Sequence, residues 1–253
     1  MQMQGLSAVV TGGASGLGAA TARMLARNGV KVAIFDMNAE TGEAVASEIG
    51  GFFVQTNVAD NDSAAAAFEA AEARHGVARI LVNCAGIAPP AKTIDREGEP
   101  HSLDAFAKVI QVNLVGSFNM IAKFAARAAK HDPVGEERGV IINTASVAAF
   151  DGQIGQAAYA ASKSGIVGMT LPIARDLASH GIRVMTIAPG LLLTPMMMQL
   201  PQAAQDALGK MTPFPPRLGK PEEYAMLVES IINNPLLNGE MIRLDGAVRL
   251  PPR

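Results

Sequence analysis

The sequence predicts an α/β protein built on one doubly wound parallel sheet of seven strands, in the order 3-2-1-4-5-6-7, with helices on both faces. Three observations predict it. Short apolar runs alternate with helical periodicity along the whole 253-residue chain. The first run opens into a glycine-rich turn that leads at once into a helix, and the next run ends in Asp36, about twenty residues past that turn. No Pro/Gly/Ser-rich stretch divides the chain, so residues 1–253 read as a single domain; 49% of the residues are hydrophobic, and the 25 glycines are spread along the chain instead of gathered in a linker.

Residues 7–13, SAVVTGG, read as the first strand and 16–28 as the first helix, with Gly29 placed to end it. Between them lies TGGASGLG, in which Gly12, Gly16 and Gly18 have the spacing G-x-x-x-G-x-G. Such a turn, with Ser15 and Leu17 between the glycines, lets the backbone approach a pyrophosphate at a helix N-terminus, as in a Rossmann-type domain. The second strand, VKVAIFD, ends in Asp36, whose carboxylate can hydrogen-bond an adenosine ribose and would repel a 2′-phosphate. No Arg or Lys in the turn would neutralise that phosphate, and the next residue is Met37, so the expected cofactor is NAD rather than NADP. The structural alternative for Asp36 is a helix N-cap.

A helix at 39–49 precedes the strand FFVQTNV, after which Asn57 and Val58 stand where an adenine ring is expected. A helix at 62–75 leads to RILVNCAG, whose strand ends at Asn83; Ala85 and Gly86 leave room for a cofactor to cross. The segment 87–102, polar and proline-bearing, is too long for a minimal connection and is expected to border the substrate. A helix resumes at about Leu103, and a longer one is expected from about Val112 to Lys130, with Asn113 near its start as a helix cap or the holder of an ordered water.

The stretch from Gly139 to Asp176 organises the rest: a buried strand, a polar loop beginning at Ser146, and a long helix carrying Tyr159 and Lys163. A spacing of four residues puts the phenol and the ammonium on one helix face. This set suits proton exchange with a carbinol or carbonyl oxygen while a hydride moves at the attached carbon. Tyr159 would carry the proton, Lys163 would lower its pKa toward working pH, and Ser146 would hold the substrate oxygen. Further on, the strand IRVMTIAPG stops at Pro189 and Gly190. The proline-broken segment 191–216, with Leu192, Thr194 and the methionines 196–198, is expected to be a lid, a subunit contact or core packing. A helix at 221–233 and the strand GEMIRLDG complete the sheet.

A net charge of −2 without blocks of like charge gives no footprint for nucleic acid or an anionic membrane, and no apolar run is expected to reach membrane-spanning length. The four histidines have no ligand spacing, so no metal is expected, and there is no G-x-S-x-G elbow to make Ser146 a nucleophile. The lone cysteine, Cys84, is expected to be a buried thiol in a reducing compartment. With no basic flank or cleavable apolar segment at the N-terminus, a cytoplasmic location is expected.

Taken together, TGGASGLG, NCAG, Asn113, Ser146, Tyr159, Lys163 and the PG turn make the whole chain resemble the classical short-chain dehydrogenases/reductases. That resemblance implies Tyr159 as general acid/base, Lys163 on the nicotinamide ribose, Ser146 orienting substrate and Asn113 holding a relay water. Residues 142–178, IRVMTIAPGL, PFPPRLG and NGEMIRLDGA, with the long loop after NCAG, are similar to type II, short-chain 3-hydroxyacyl-CoA dehydrogenases, which also act on some hydroxysteroids and 2-methyl-branched acyl-CoAs. This implies oxidation of an (S)-3-hydroxyacyl-CoA with NAD, Gln153 and Gln156 bordering the substrate, and a homotetramer packed partly through Ala160, Ala161, Gly165 and Gly168. The chain departs from the family at Asn57, where Asp is usual. The alternatives are a hydroxysteroid or other secondary-alcohol dehydrogenase, then an NADPH-dependent 3-oxoacyl reductase, and, from another class, a non-catalytic NADH-binding scaffold.

Overall fold

The computed structural model describes residues 1–198 and 201–252; Gln199, Leu200 and Arg253, and the side chain of Met196, lie outside the described residues, including the part of the 191–216 segment that they occupy. Seven parallel strands form one sheet in the expected order: β1 (Ser7–Thr11), β2 (Lys31–Asp36), β3 (Phe52–Gln55), β4 (Ile80–Asn83), β5 (Gly139–Thr144), β6 (Ile182–Pro189) and β7 (Met241–Leu244), arranged β3-β2-β1-β4-β5-β6-β7. The side-chain period of two divides the strand residues between two cores. Val10, Ile34, Val82, Ile142 and Ile187 pack under α1 (Gly16–Arg27), α2 (Ala39–Glu48) and α9 (Pro221–Asn233). On the opposite face Val9, Phe35, Leu81, Ile141 and Val184 pack under α3 (Asn61–His75), α5 (Gly116–Ala128) and α6 (Ala157–Ala178).

Two strands end before the expected runs do, β1 at Thr11 and β3 at Gln55, while β4 ends at Asn83 as expected. Beyond these points the backbone leaves the sheet, and the segments it frees form the rim of a cleft along the strands' carboxyl ends. Across the last rungs of the sheet runs a polar ladder. Thr11 pairs with Asn83 and Asn83 with Asn143 in register. Thr11 Oγ1 donates to Asn83 Oδ1 at 3.4 Å, and Asn83 Nδ2 donates to Asn143 Oδ1 at 2.9 Å.

The segment from 103 to 128 corrects two expectations. Instead of two helices there is one continuous rod, α4 (Leu103–Ile110) passing through a π-helical turn (Gln111–Val115) into α5. The extra residue of a π turn shifts the phase of the apolar pattern, which is why the sequence reads as a break near Val112. The 26-residue rod is also long and apolar enough to cross a membrane by length and composition, contrary to the sequence reading. Its Met120, Ile121, Phe124 and Ala128 are buried on the core beneath the sheet.

Short helices α7 (Pro195–Met198) and α8 (Gln202–Gly209) follow β6. The segment is stitched back by Leu192, buried in the core, and by hydrogen bonds from Gly219 N to Leu191 O (2.9 Å) and from Leu193 N to Gly219 O (2.8 Å).

Glycine is required where β1 turns into α1. Gly12 has φ +63°, and a Cβ there would sit 2.7 Å from the Ala85 nitrogen; a Cβ on Gly18 would overlap the Gly12 carbonyl oxygen. Gly18→Ala should therefore force the turn open, with a loss of about 2 kcal/mol or more in urea unfolding.

Candidate active site

A cleft of about 830 Å³ opens above the carboxyl ends of the strands, at the point where the strand order reverses between β1 and β4. Its size and placement match a cofactor-plus-substrate site. One end is the glycine turn. Ser15 is the N-cap of α1, yet its side chain makes no capping bond and the first turn holds no acidic residue, so the leading N–H groups of the helix remain free to take an anion. Asp36 closes the turn from β2, with Oδ2 accepting from Ala14 N (3.1 Å) and Oδ1 from Asn38 N (3.0 Å). The N-cap of α2 is Asn38, which accepts from Thr41 N, so the capping alternative for Asp36 does not hold.

Of the residues singled out in the sequence, the cleft brings together Gly12, Ser15, Gly16, Leu17, Gly18, Asp36, Asn57, Val58, Ala85 and Gly86 along one arm, and Ser146, Gln153, Gln156, Tyr159, Lys163, Pro189, Gly190, Leu192 and Thr194 along the other. Asn57 Oδ1 already accepts from Ala59 N at 3.1 Å, leaving one lone pair for an adenine amino group. Two expected site residues do not line the cleft. Asn83 belongs to the polar ladder beneath it. Asn113, fully buried in the π turn, clamps Ile87 through both main-chain groups (Oδ1 from Ile87 N, 2.8 Å; Nδ2 to Ile87 O, 2.9 Å) and also donates to Ser162 Oγ at 3.0 Å. The side chain thus fixes the start of the 87–102 loop and has no free donor for a water.

Tyr159, in the first turn of α6, is hydrogen-bonded to Ser146, which caps the 3₁₀ turn Val147–Ala149 by accepting from Ala148 N at 3.1 Å. Lys163 lies one helical turn on, with its Nζ 5.6 Å from the Tyr159 ring centre. That ammonium is buried and donates to the Thr144 carbonyl at 2.8 Å. Burial lowers the Lys163 pKa to about 8. Burial also raises the Tyr159 phenol above its ordinary value, and only the Ser146 hydrogen bond opposes this. The expected lowering by Lys163 is not among the influences on this phenol, whose pKa is set by burial against the Ser146 hydrogen bond.

Beneath Lys163 lies a ring of three groups that sequence reasoning missed. Tyr224 Oη, buried on α9, shares a 2.7 Å hydrogen bond with Thr144 Oγ1; Thr144 donates to Cys84 Sγ at 3.6 Å, and Cys84 to Tyr224 at 3.8 Å. Cys84 keeps some exposure along the cleft wall, but its sulfur turns into this ring and burial pushes the thiol up. No local motif announces the ring, because its members come from three elements.

The chain matches the short chain dehydrogenase family over residues 7–205. It belongs to that family. It is 52% identical over 254 residues to the 3-hydroxyacyl-CoA dehydrogenase type-2 of Homo sapiens, a match spanning 99% of this chain and 97% of that protein. The Drosophila melanogaster protein of the same name is 52% identical over 248 residues, spanning 96% of this chain and 97% of that one. The crystal structure of 3-hydroxyacyl-CoA dehydrogenase type-2 from Mycobacterium avium superposes with a TM-score of 0.94 at 44% identity, covering 98% of each chain. This short-chain dehydrogenase is therefore an oxidoreductase acting on a small molecule with a nicotinamide cofactor. The open turn, the uncapped α1 and the acidic end of β2 fit such a cofactor.

Lys163 makes a pH-dependent contribution to stability. Its folded pKa of about 8 lies below the unfolded value of 10.5. Between those pH values the unfolded chain holds a proton that the folded chain does not, so the contribution rises with pH across the window and is absent below it. Lys163→Met should be more stable than the parent at pH 7, on the order of 2 kcal/mol after allowing for the lost Thr144 bond. Urea unfolding at intervals from pH 7 to 10.5 should show that advantage shrink as pH rises.

Proposed function

We propose that this chain is an NAD-dependent 3-hydroxyacyl-CoA dehydrogenase, interconverting an (S)-3-hydroxyacyl-CoA and the 3-oxoacyl-CoA in fatty-acid or branched-chain acyl-CoA catabolism. The observation that carries the reading is the Ser146–Tyr159–Lys163 set on one arm of a cleft whose other arm is an anion-ready glycine turn. The names of relatives at 52% identity support the substrate. Asp36 at the end of β2 supports NAD, because a carboxylate held beside the turn repels a 2′-phosphate.

The bound nicotinamide supplies the hydride acceptor at the carbinol carbon. Tyr159 takes the hydroxyl proton during oxidation and returns it to the carbonyl oxygen during reduction. Its raised pKa keeps the phenol protonated at neutral pH, which suits the reductive direction; oxidation gains as pH rises. Ser146 holds the substrate oxygen by a hydrogen bond that strengthens as charge develops there. The Lys163 charge, buried a helical turn away, favours the phenolate when it forms. Asn113 keeps the loop edge in place through Ile87.

The same reading includes a homotetramer and a cytoplasmic setting, the latter supported by a single cysteine. Gly168 is open and available to such an interface, whereas Gly165 packs against this chain's own Leu114.

Purified protein should oxidise NADH rapidly with acetoacetyl-CoA and NADPH far more slowly, followed at the reduced nicotinamide absorbance. Absence of turnover with NADH binding intact moves the substrate to a steroid or another secondary alcohol. Tyr159→Phe should cut turnover by about 10³-fold while leaving NADH binding in place. Asp36→Ala should weaken NADH about tenfold and improve NADPH; unchanged kinetics with both would remove the assignment.

A further inference from the structure

After β7 the chain turns back across the cleft. Gly246 and Ala247 both take positive φ, 56° and 68°, and Asp245 closes the reversal, its Oδ1 accepting from Ala247 N at 3.0 Å. Val248 is then fully buried. Arg243 locks this turn to the segment after β5: its Nη2 donates to Asp151 Oδ2 (2.7 Å) and to Val248 O (3.1 Å), its Nε to Asp245 Oδ2 (2.7 Å), and its guanidinium lies 5.4 Å from the centre of the Phe150 ring.

A second anchorage holds the far end. Gln153 Nε2 donates to Pro251 O at 3.1 Å and Ile154 N to Pro252 O at 3.0 Å. Between the two anchorages is Leu250, which lines the same cleft as Gln153, Gln156 and Tyr159. The two prolines after Leu250 fix φ and carry no N–H, so this stretch is stiff and is held through its carbonyls. Gln156 Oε1 accepts from Gln153 N at 3.0 Å, so both glutamines serve to hold this wall as well as border the cleft.

We propose that residues 248–252 are the specificity-determining wall of the substrate end of the cleft, with Leu250 as the stop met by the substrate's alkyl chain beyond the reacting carbon. The wall is apolar at Leu250 and pinned on both sides, so a longer chain must displace a clasped backbone rather than a free tail. This rests on the acyl-substrate reading for the kind of chain it would meet.

The experiment uses the full chain and two variants of opposite size, Leu250→Ala and Leu250→Phe. Values of kcat/KM are measured with NADH for straight-chain 3-oxoacyl-CoA thioesters of four to twelve carbons, and with NAD for a matching series of 2-alkanols. Leu250→Ala should raise the long-to-short preference about tenfold and Leu250→Phe should lower it by a similar factor, both with NADH affinity unchanged. Equal long-to-short ratios in the parent and both variants overturn the proposal. Activity confined to the alkanols would refute the acyl-CoA reading alone, since the alkanol ratios still report on the wall.

Discussion

A buried ammonium is the constraint to which the rest of this site is fitted. Lys163 must lose most of its hydration to lie beside Tyr159, and the protein returns one strong partner, the Thr144 carbonyl at 2.8 Å. That carbonyl ends β5, so its position depends on the register of the sheet and on the Tyr224–Thr144–Cys84 ring behind it. Gly86 matters for the same reason: a Cβ there would lie 3.5 Å from the Lys163 nitrogen and 3.2 Å from Asn113 Oδ1. The surroundings of Tyr159 thus rest on packing decided in layers below the cleft.

The polar ladder of Thr11, Asn83 and Asn143 has a related role. Polar side chains within a parallel sheet need partners, and here they find each other across three adjacent strands just where the strand order reverses. Thr11 Oγ1 also accepts from Ala85 N at 3.2 Å, so the ladder ties the glycine turn to the strand end that faces it. The floor of the cofactor arm is held by side chains that never enter it.

Much of this architecture could be read from the sequence because it depends on local patterns. The glycine spacing, the acidic end of β2, the four-residue step from Tyr159 to Lys163 and the helix at 221–233 are all short-range signals, and each element lies where they place it. What escaped reading is long-range or aperiodic. Tyr224 meets Thr144 across 80 residues of chain and Gln153 meets Pro251 across 98, separations that carry no motif. Asn113 was misplaced within its helix because a π turn breaks the 3.6-residue period that locates helices. The pKa of Tyr159 goes the other way because burial, a property of the whole fold, is the largest influence on the phenol.

Asp36 does two jobs, and they cannot be separated by a single substitution. The carboxylate that lines the cleft also accepts from Ala14 N in the glycine turn and from Asn38 N at the start of α2. Changing the charge at this position therefore does more than alter what the cleft can bind. A replacement side chain must also offer an acceptor for the Ala14 amide, or the glycine turn loosens.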